Sequence, residues 1–210
     1  MSPSIAIHAL TKRFSVSASK NAHPTVRTLF ADFSLTIEAG HKVLIVGPNG
    51  CGKTSLLKIL CSALQTDSGE ILIDGIACDN WPREKLGLML STQLLYEGLT
   101  GYQNLEYSAH LYRIPKPHLR IMATIQHWGL SSFIREEVAS YSNGMRALLA
   151  LARCTLHSPP LLLLDEPTAY LDTHGIDRLR TFLQSSTGTV LITTQQPNTL
   201  KDIVDRVLML

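Results

Sequence analysis

The residues best suited to chemistry are Gly47-Pro48-Asn49-Gly50-Cys51-Gly52-Lys53-Thr54, which fit the pattern G-x-x-x-x-G-K-[ST] at every position. Glycines let a backbone turn tightly and come close to an anion. Successive N–H groups of such a turn point into one concavity, and the first turn of a following helix adds free N–H groups and the positive end of its dipole. A polyphosphate fits that environment. Lys53 is expected to reach the β- and γ-phosphates, the Thr54 hydroxyl to hold Mg²⁺, and Ser55 to continue the binding segment into the helix. The chemistry implied is binding of a nucleoside triphosphate.

A second constellation lies downstream. Leu161-Leu162-Leu163-Leu164 is a continuous apolar run, as expected of a parallel strand buried on both faces, and it ends in Asp165-Glu166. Such a strand delivers an acidic pair at its C-terminal edge, beside the phosphate loop. Asp165 is suited to orient Mg²⁺, and Glu166 to polarise a water that attacks the γ-phosphate.

The elements that must position these groups can be read from spacing. Residues 42–46 are a β-branched apolar run, read as the buried strand that feeds the loop, and residues 54–64 form the helix that leaves it. Strands are also expected at 5–10, 33–37, 71–75 and 189–194, and residues 203–210 close the sequence on an apolar segment. Residues 15–25, with Pro24, read as a loop or hairpin tip. From about residue 100 to residue 141 the pattern turns helical: 104–112 with Asn104 as N-cap, a break at Pro115 and Pro117, then 118–128 ending at Gly129. Tyr102, Tyr107, Tyr112 and Trp128 read as packing residues rather than a ligand box. Ser142 then starts a helix running from about 145 to 155. The expected fold is α/β: a P-loop NTPase whose mixed sheet has a parallel core flanked by helices. One nucleotide-binding domain is expected over 1–210, with a helical subdomain inserted at about 95–145.

Bulk composition narrows the partners. The 210 residues are 45% apolar, ample for a core, and the net charge of +2 with no basic stripe argues against nucleic acid. Cys51, Cys61, Cys78 and Cys154 form no C-x-x-C pair, so reduced thiols are expected rather than a zinc site or a disulfide framework. Neither a signal peptide nor a membrane span is expected, so a membrane role would come through a partner.

Between the two nucleotide motifs lies Tyr141-Ser142-Asn143-Gly144-Met145, and here the sequence resembles the ATP-binding-cassette ATPases over nearly its whole length. That family's signature reads L-S-G-G-Q, of which Ser142 and Gly144 are kept. The resemblance implies a head-to-tail dimer of two cassettes, homo- or heteromeric, with ATP sandwiched between them. Ser142 and Gly144 would contact the γ-phosphate held by the other chain's loop. It further implies that Phe14 stacks on adenine, that Asp172 in Tyr170-Leu171-Asp172 belongs to a loop along the dimer interface, and that the partner is an integral membrane permease at the cytoplasmic face of the membrane.

The sequence departs from the family in two ways. The glutamine that senses the γ-phosphate would, counted back from Leu95-Tyr96-Glu97-Gly98-Leu99-Thr100, fall on Ser91; Gln93 serves only if the loop shifts by two residues. The histidine after the last core strand is replaced by Gln195, whose amide hydrogen-bonds a phosphate oxygen but carries neither a proton nor a charge. True acid–base assistance is worth roughly 10²–10⁴ in rate, so slow hydrolysis is expected. Met145 and Leu148 also replace the usual Gln and Arg. Leu99–Leu105 and Thr193-Thr194-Gln195-Gln196-Pro197 are similar to the ATP-binding subunit of the cytochrome c biogenesis haem exporter, which implies export of haem. A second reading is a nucleotide-binding regulatory switch, or a catalytically weak partner cassette, that does not itself power transport.

Overall fold

The four leucines at 161–164 show how the core is divided. Side chains alternate across a strand, so Leu161 and Leu163 point to one side of the sheet and pack with Leu56, Leu57 and Ile59, while Leu162 and Leu164 pack with Leu149, Ala150 and Leu179 on the other. All four are buried, and a strand covered on both faces has no polar side to present. The computed structural model describes residues 1–16, 25–90 and 94–210.

Two sheets carry the strands. An antiparallel sheet has the order β2-β1-β4-β5, formed by β1 (Ile5–Val16), β2 (Thr25–Ile37), β4 (Ser68–Ile73) and β5 (Ile76–Ala77). A parallel sheet has the order β6-β7-β8-β3-β9, formed by β3 (Lys42–Val46), β6 (Leu86–Met89), β7 (Leu161–Asp165), β8 (Thr189–Thr194) and β9 (Arg206–Met209). Helix α1 (Lys53–Leu60) and the antiparallel sheet cover one face. Helices α2 (Gly101–Leu111), α3 (Pro117–Trp128), α4 (Asn143–Thr155) and α5 (Thr173–Ser185) contribute to the core on the other. The expected α/β arrangement with a parallel core is present. The early antiparallel strands sort into a sheet of their own instead of joining the parallel one.

Several expected boundaries move for identifiable reasons. Strand β1 runs on to Val16, where it pairs with Thr25; the rest of the expected loop, 17–24, lies outside the described residues. Helix α1 stops at Leu60, because Ala63 and Leu64 N–H groups turn back to the Lys58 carbonyl. The N-cap of α2 is Thr100, not Asn104: Thr100 and Gln103 form a capping box. Asn104 is buried and spent on the backbone of Tyr96, accepting from its N–H at 2.9 Å and donating to its carbonyl at 3.0 Å. Helix α3 ends at Gly129, whose φ of 69° suits glycine. Trp128 packs in the core as expected, whereas Tyr107 is exposed and meets Tyr96 edge-on. At Gly87 in β6 an added Cβ would lie 2.4 Å from the Cys154 carbonyl of α4, so strand and helix touch there backbone to backbone.

Candidate functional site

Because β3, β7 and β8 are parallel neighbours, their C-terminal ends reach one edge of the sheet together. That edge is where ligands bind in α/β folds. It presents the loop after Val46, the pair Asp165-Glu166, and Gln195. A cavity of about 640 Å³ opens above it, lined among others by Phe14, Asn49, Lys53, Thr54, Glu166 and Gln195.

The loop is built for close approach. Gly50 and Gly52 have φ of 80° and 116°, and a Cβ on Gly52 would come within 2.8 Å of the Phe30 ring. A Cβ on Gly47 would meet Cys51 Sγ at 2.6 Å. Lys53 begins α1 and is buried; its Nζ donates to the carbonyls of Gly47 at 2.7 Å and Pro48 at 3.2 Å, and lies 3.6 Å from Glu166 Oε1. No acidic residue of its own stands in the first turn of α1, so the negative charge near its positive end comes from Asp165 and Glu166.

The acidic pair divides into two environments. Asp165 is held on both oxygens: Thr54 Oγ1 donates to Oδ2 at 2.7 Å, and Thr193 Oγ1 to Oδ1 at 2.6 Å. A hydroxyl beside a carboxylate is an oxygen donor set that fits a hard cation such as Mg²⁺, which binds through one or two protein oxygens with phosphates and water completing its shell. Glu166 has φ of 48°, a left-handed backbone uncommon for a non-glycine residue. Its N–H is fixed by the Thr193 carbonyl at 3.0 Å. One carboxylate oxygen accepts from the Gln195 N–H at 3.2 Å; the other is buried with no hydrogen-bond donor, only Lys53 Nζ close to it. The Gln195 side chain donates to Asn49 Oδ1 at 2.6 Å, tying the end of β8 to the phosphate loop.

The structure therefore brings Phe14, Ser55, Glu166 and Gln195 together with Asn49, Gly50, Gly52, Lys53 and Thr54 around one cavity. Ser142, Gly144 and Asp172 are not there. They border a separate recess of about 490 Å³ between the N-termini of α4 and α5. Ser142 Oγ caps α4, accepting from the Met145 N–H at 3.3 Å, and Asp172 Oδ1 caps α5, accepting from the Gly175 N–H at 2.7 Å. Ser91 and Gln93 lie outside the described residues. Arg27, which no motif singled out, also lines the main cavity. Its signal was in the register: it stands directly opposite Phe14 in the β1–β2 pair.

The profile of the family described as ABC transporter matches residues 30–169. The ABC transporter ATP-binding protein NatA of Bacillus subtilis is 32% identical over 188 residues, covering 85% of this chain and 76% of that protein. The lantibiotic transport ATP-binding protein SrtF of Streptococcus pyogenes is 31% identical, covering 76% of this chain and 69% of that one. The spermidine/putrescine import ATP-binding protein PotA of Haemophilus influenzae is 32% identical over 69% of this chain, which spans 40% of its length. Among solved structures, a dimeric ATP-binding cassette in a post-hydrolysis state bound to ADP and Pi superposes with a TM-score of 0.85 at 22% identity, covering 98% of this chain and 94% of that one.

Proposed function

Since this chain belongs to the ABC transporter family and is one of its ATPases, we propose that it binds ATP over the loop 47–54 and spends its hydrolysis on driving a membrane permease. The observation that carries this is the meeting of loop and acid at one sheet edge: Thr54 Oγ1 lies 2.7 Å from Asp165 Oδ2, and Lys53 Nζ lies 3.6 Å from Glu166 Oε1. In this reading Lys53 leaves the Gly47 and Pro48 carbonyls for the β- and γ-phosphates. Thr54 and Asp165 hold Mg²⁺, which when bound neutralises charge on the phosphates. Glu166, with one oxygen free of hydrogen bonds, takes the proton of the attacking water. Gln195 stays on Asn49 and positions Glu166 through its own N–H. Phe14 faces the adenine. Ser142 and Gly144 serve a second cassette, whose loop would bring its nucleotide to their recess. A dimer closed by ATP and opened by its loss follows, since only the triphosphate bridges both surfaces. One domain over 1–210, with a helical insertion at about 95–145, is part of the same reading, as is placement at the cytoplasmic face of a membrane through the permease.

Export of haem for cytochrome c biogenesis is the narrower proposal for the cargo. It is supported by the segments 99–105 and 193–197 alone; of the relatives above, PotA and SrtF are named for other cargoes. The test is ATP turnover by the purified chain beside its Glu166→Gln and Gln195→His variants, with co-purification of a multispan membrane protein as the second readout. Turnover that Glu166→Gln stops and Gln195→His speeds supports the motor. Binding without turnover in all three would favour the regulatory switch, the reading that the absence of an ionisable group at Gln195 supports.

A further inference from the structure

The nucleotide cavity contains a cation that the phosphate-loop motif does not supply. Arg27 is exposed at its wall, and its Nη2 donates to the Gly50 carbonyl of the loop at 2.9 Å. Its position is set by strand register. Phe14 and Arg27 are direct partners in the antiparallel β1–β2 pair, so both side chains leave the sheet on the same face, and both line the cavity. Register shifts between Leu10 and Lys12, and between Lys12 and Arg13, precede that rung. A slip of one residue between the strands would put the two side chains on opposite faces.

We propose that Arg27 is a second phosphate-binding cation of this site, which moves from the Gly50 carbonyl onto the phosphate chain when nucleotide is bound. The proposal rests on the nucleotide reading of the same cavity. The contrast with Lys53 carries it. Lys53 is buried, holds two loop carbonyls and has Glu166 beside it, so part of its charge is already answered. Arg27 forms no ion pair with any described residue and holds one neutral carbonyl. Hydrogen bonds from a guanidinium to an anionic oxygen are about twice as strong as those to neutral acceptors, and its fork takes a phosphate through two parallel N–H groups. Nor does the loop depend on Arg27 for its shape. That is already held by Cys51 N–H to the Pro48 carbonyl, Leu56 N–H to the Gly52 carbonyl and the two bonds from Lys53. On this account one rung of the hairpin offers Phe14 to the base and Arg27 to the phosphates.

Calorimetric titration of the full chain with ATP and with adenosine, for wild type and for Arg27→Ala, Arg27→Gln and Arg27→Lys, tests this. Thermal unfolding without nucleotide confirms that each variant is folded. The expected result is that Ala and Gln each weaken ATP about tenfold and leave adenosine unchanged, while Lys stays within about threefold of wild type. Gln keeps an N–H donor for the Gly50 carbonyl but has no charge, so Gln binding ATP like wild type would reduce Arg27 to a tether and overturn the proposal. So would an equal loss for ATP and adenosine. Lys53→Ala is measured alongside: if it fails to weaken ATP, the nucleotide reading itself falls, whereas weakening by Lys53→Ala alone removes only the role of Arg27.

Discussion

Two surfaces of this molecule present helix N-termini to a recess, and they differ in what else they bring. Over α1 the recess of about 640 Å³ has Lys53, Arg27, Thr54 and two carboxylates converging from two strands and a helix. Between α4 and α5 the recess of about 490 Å³ has two caps, Ser142 and Asp172, each hydrogen-bonded to its own helix. The first gathers two cations, a hydroxyl and two carboxylates around one cavity. The second offers a hydroxyl, backbone N–H groups and the dipole end of α4, but no acid aimed at a water. Under the proposed function, such a helix N-terminus meets a phosphate that a second cassette already holds. The asymmetry teaches why a cassette of this type is expected to work in pairs.

That comparison can be broken or sharpened by substitution. Glu166→Gln should lower ATP turnover by about 10²–10⁴ with ATP binding retained, read by phosphate release and by calorimetry; loss of binding would mean that Glu166 only holds the loop together. Ser142→Arg should lower turnover by roughly tenfold or more, through clash and charge in the second recess, while ATP affinity measured on dilute protein stays within about twofold. An equal fall in both would make the two recesses one site and end the comparison.

Smaller effects concern how firmly α4 and α5 are held. His157, after α4, stacks flat on Tyr112 with ring centroids 3.7 Å apart, and burial depresses its pKa from 6.5 to about 4. A base whose folded pKa is lowered binds fewer protons folded than unfolded between pH 6.5 and about 4. Its contribution to stability is therefore complete above that window and lost as pH falls through it. After discounting for partial solvent access, this loss is on the order of 2 kcal/mol. Denaturant unfolding at pH 7 and pH 4.5 should show a smaller acid loss for His157→Phe than for wild type; an equal slope would place the acid sensitivity elsewhere. Asp172→Ala should cost about 1 kcal/mol of stability, the ordinary value of an N-cap. A null result there would show that the bond to Gly175 contributes nothing in solution.

Legibility in the sequence followed the range of the interactions. The loop 47–54, the leucine strand with its acidic pair, and the helix that Ser142 opens are local patterns, and each sits where its residues alone place it. What depends on distant partners was hidden. Asn104 has the chemistry of an N-cap, but Tyr96, eight residues earlier, takes its side chain, and Thr100 becomes the cap. The separation of antiparallel from parallel strands depends on how β1 pairs with both β2 and β4, information no single strand carries. Arg27 was invisible for the same reason: an arginine in a half-polar strand acquires meaning only once the register sets it opposite Phe14. Gln195 was read as a weakened phosphate contact. The structure adds that its amide is engaged with Asn49, so its two bonds join acid and loop.

The backbone contact at Gly87 has a mechanical consequence. Where side chains separate two elements, rotamer changes absorb small displacements; where backbone rests on backbone, no such cushion exists. With the Cys154 carbonyl 2.4 Å from where a Cβ on Gly87 would stand, β6 and the last turn of α4 behave as one stiff piece. Arg153, one residue before Cys154, also grips the Leu94 carbonyl at 2.8 Å. Helix α4 therefore spans the distance between two fixed points: its near end is Ser142, at the second recess, and its far end is seated on β6 at Gly87 and on the Leu94 carbonyl, so one end cannot shift far without disturbing the contacts of the other.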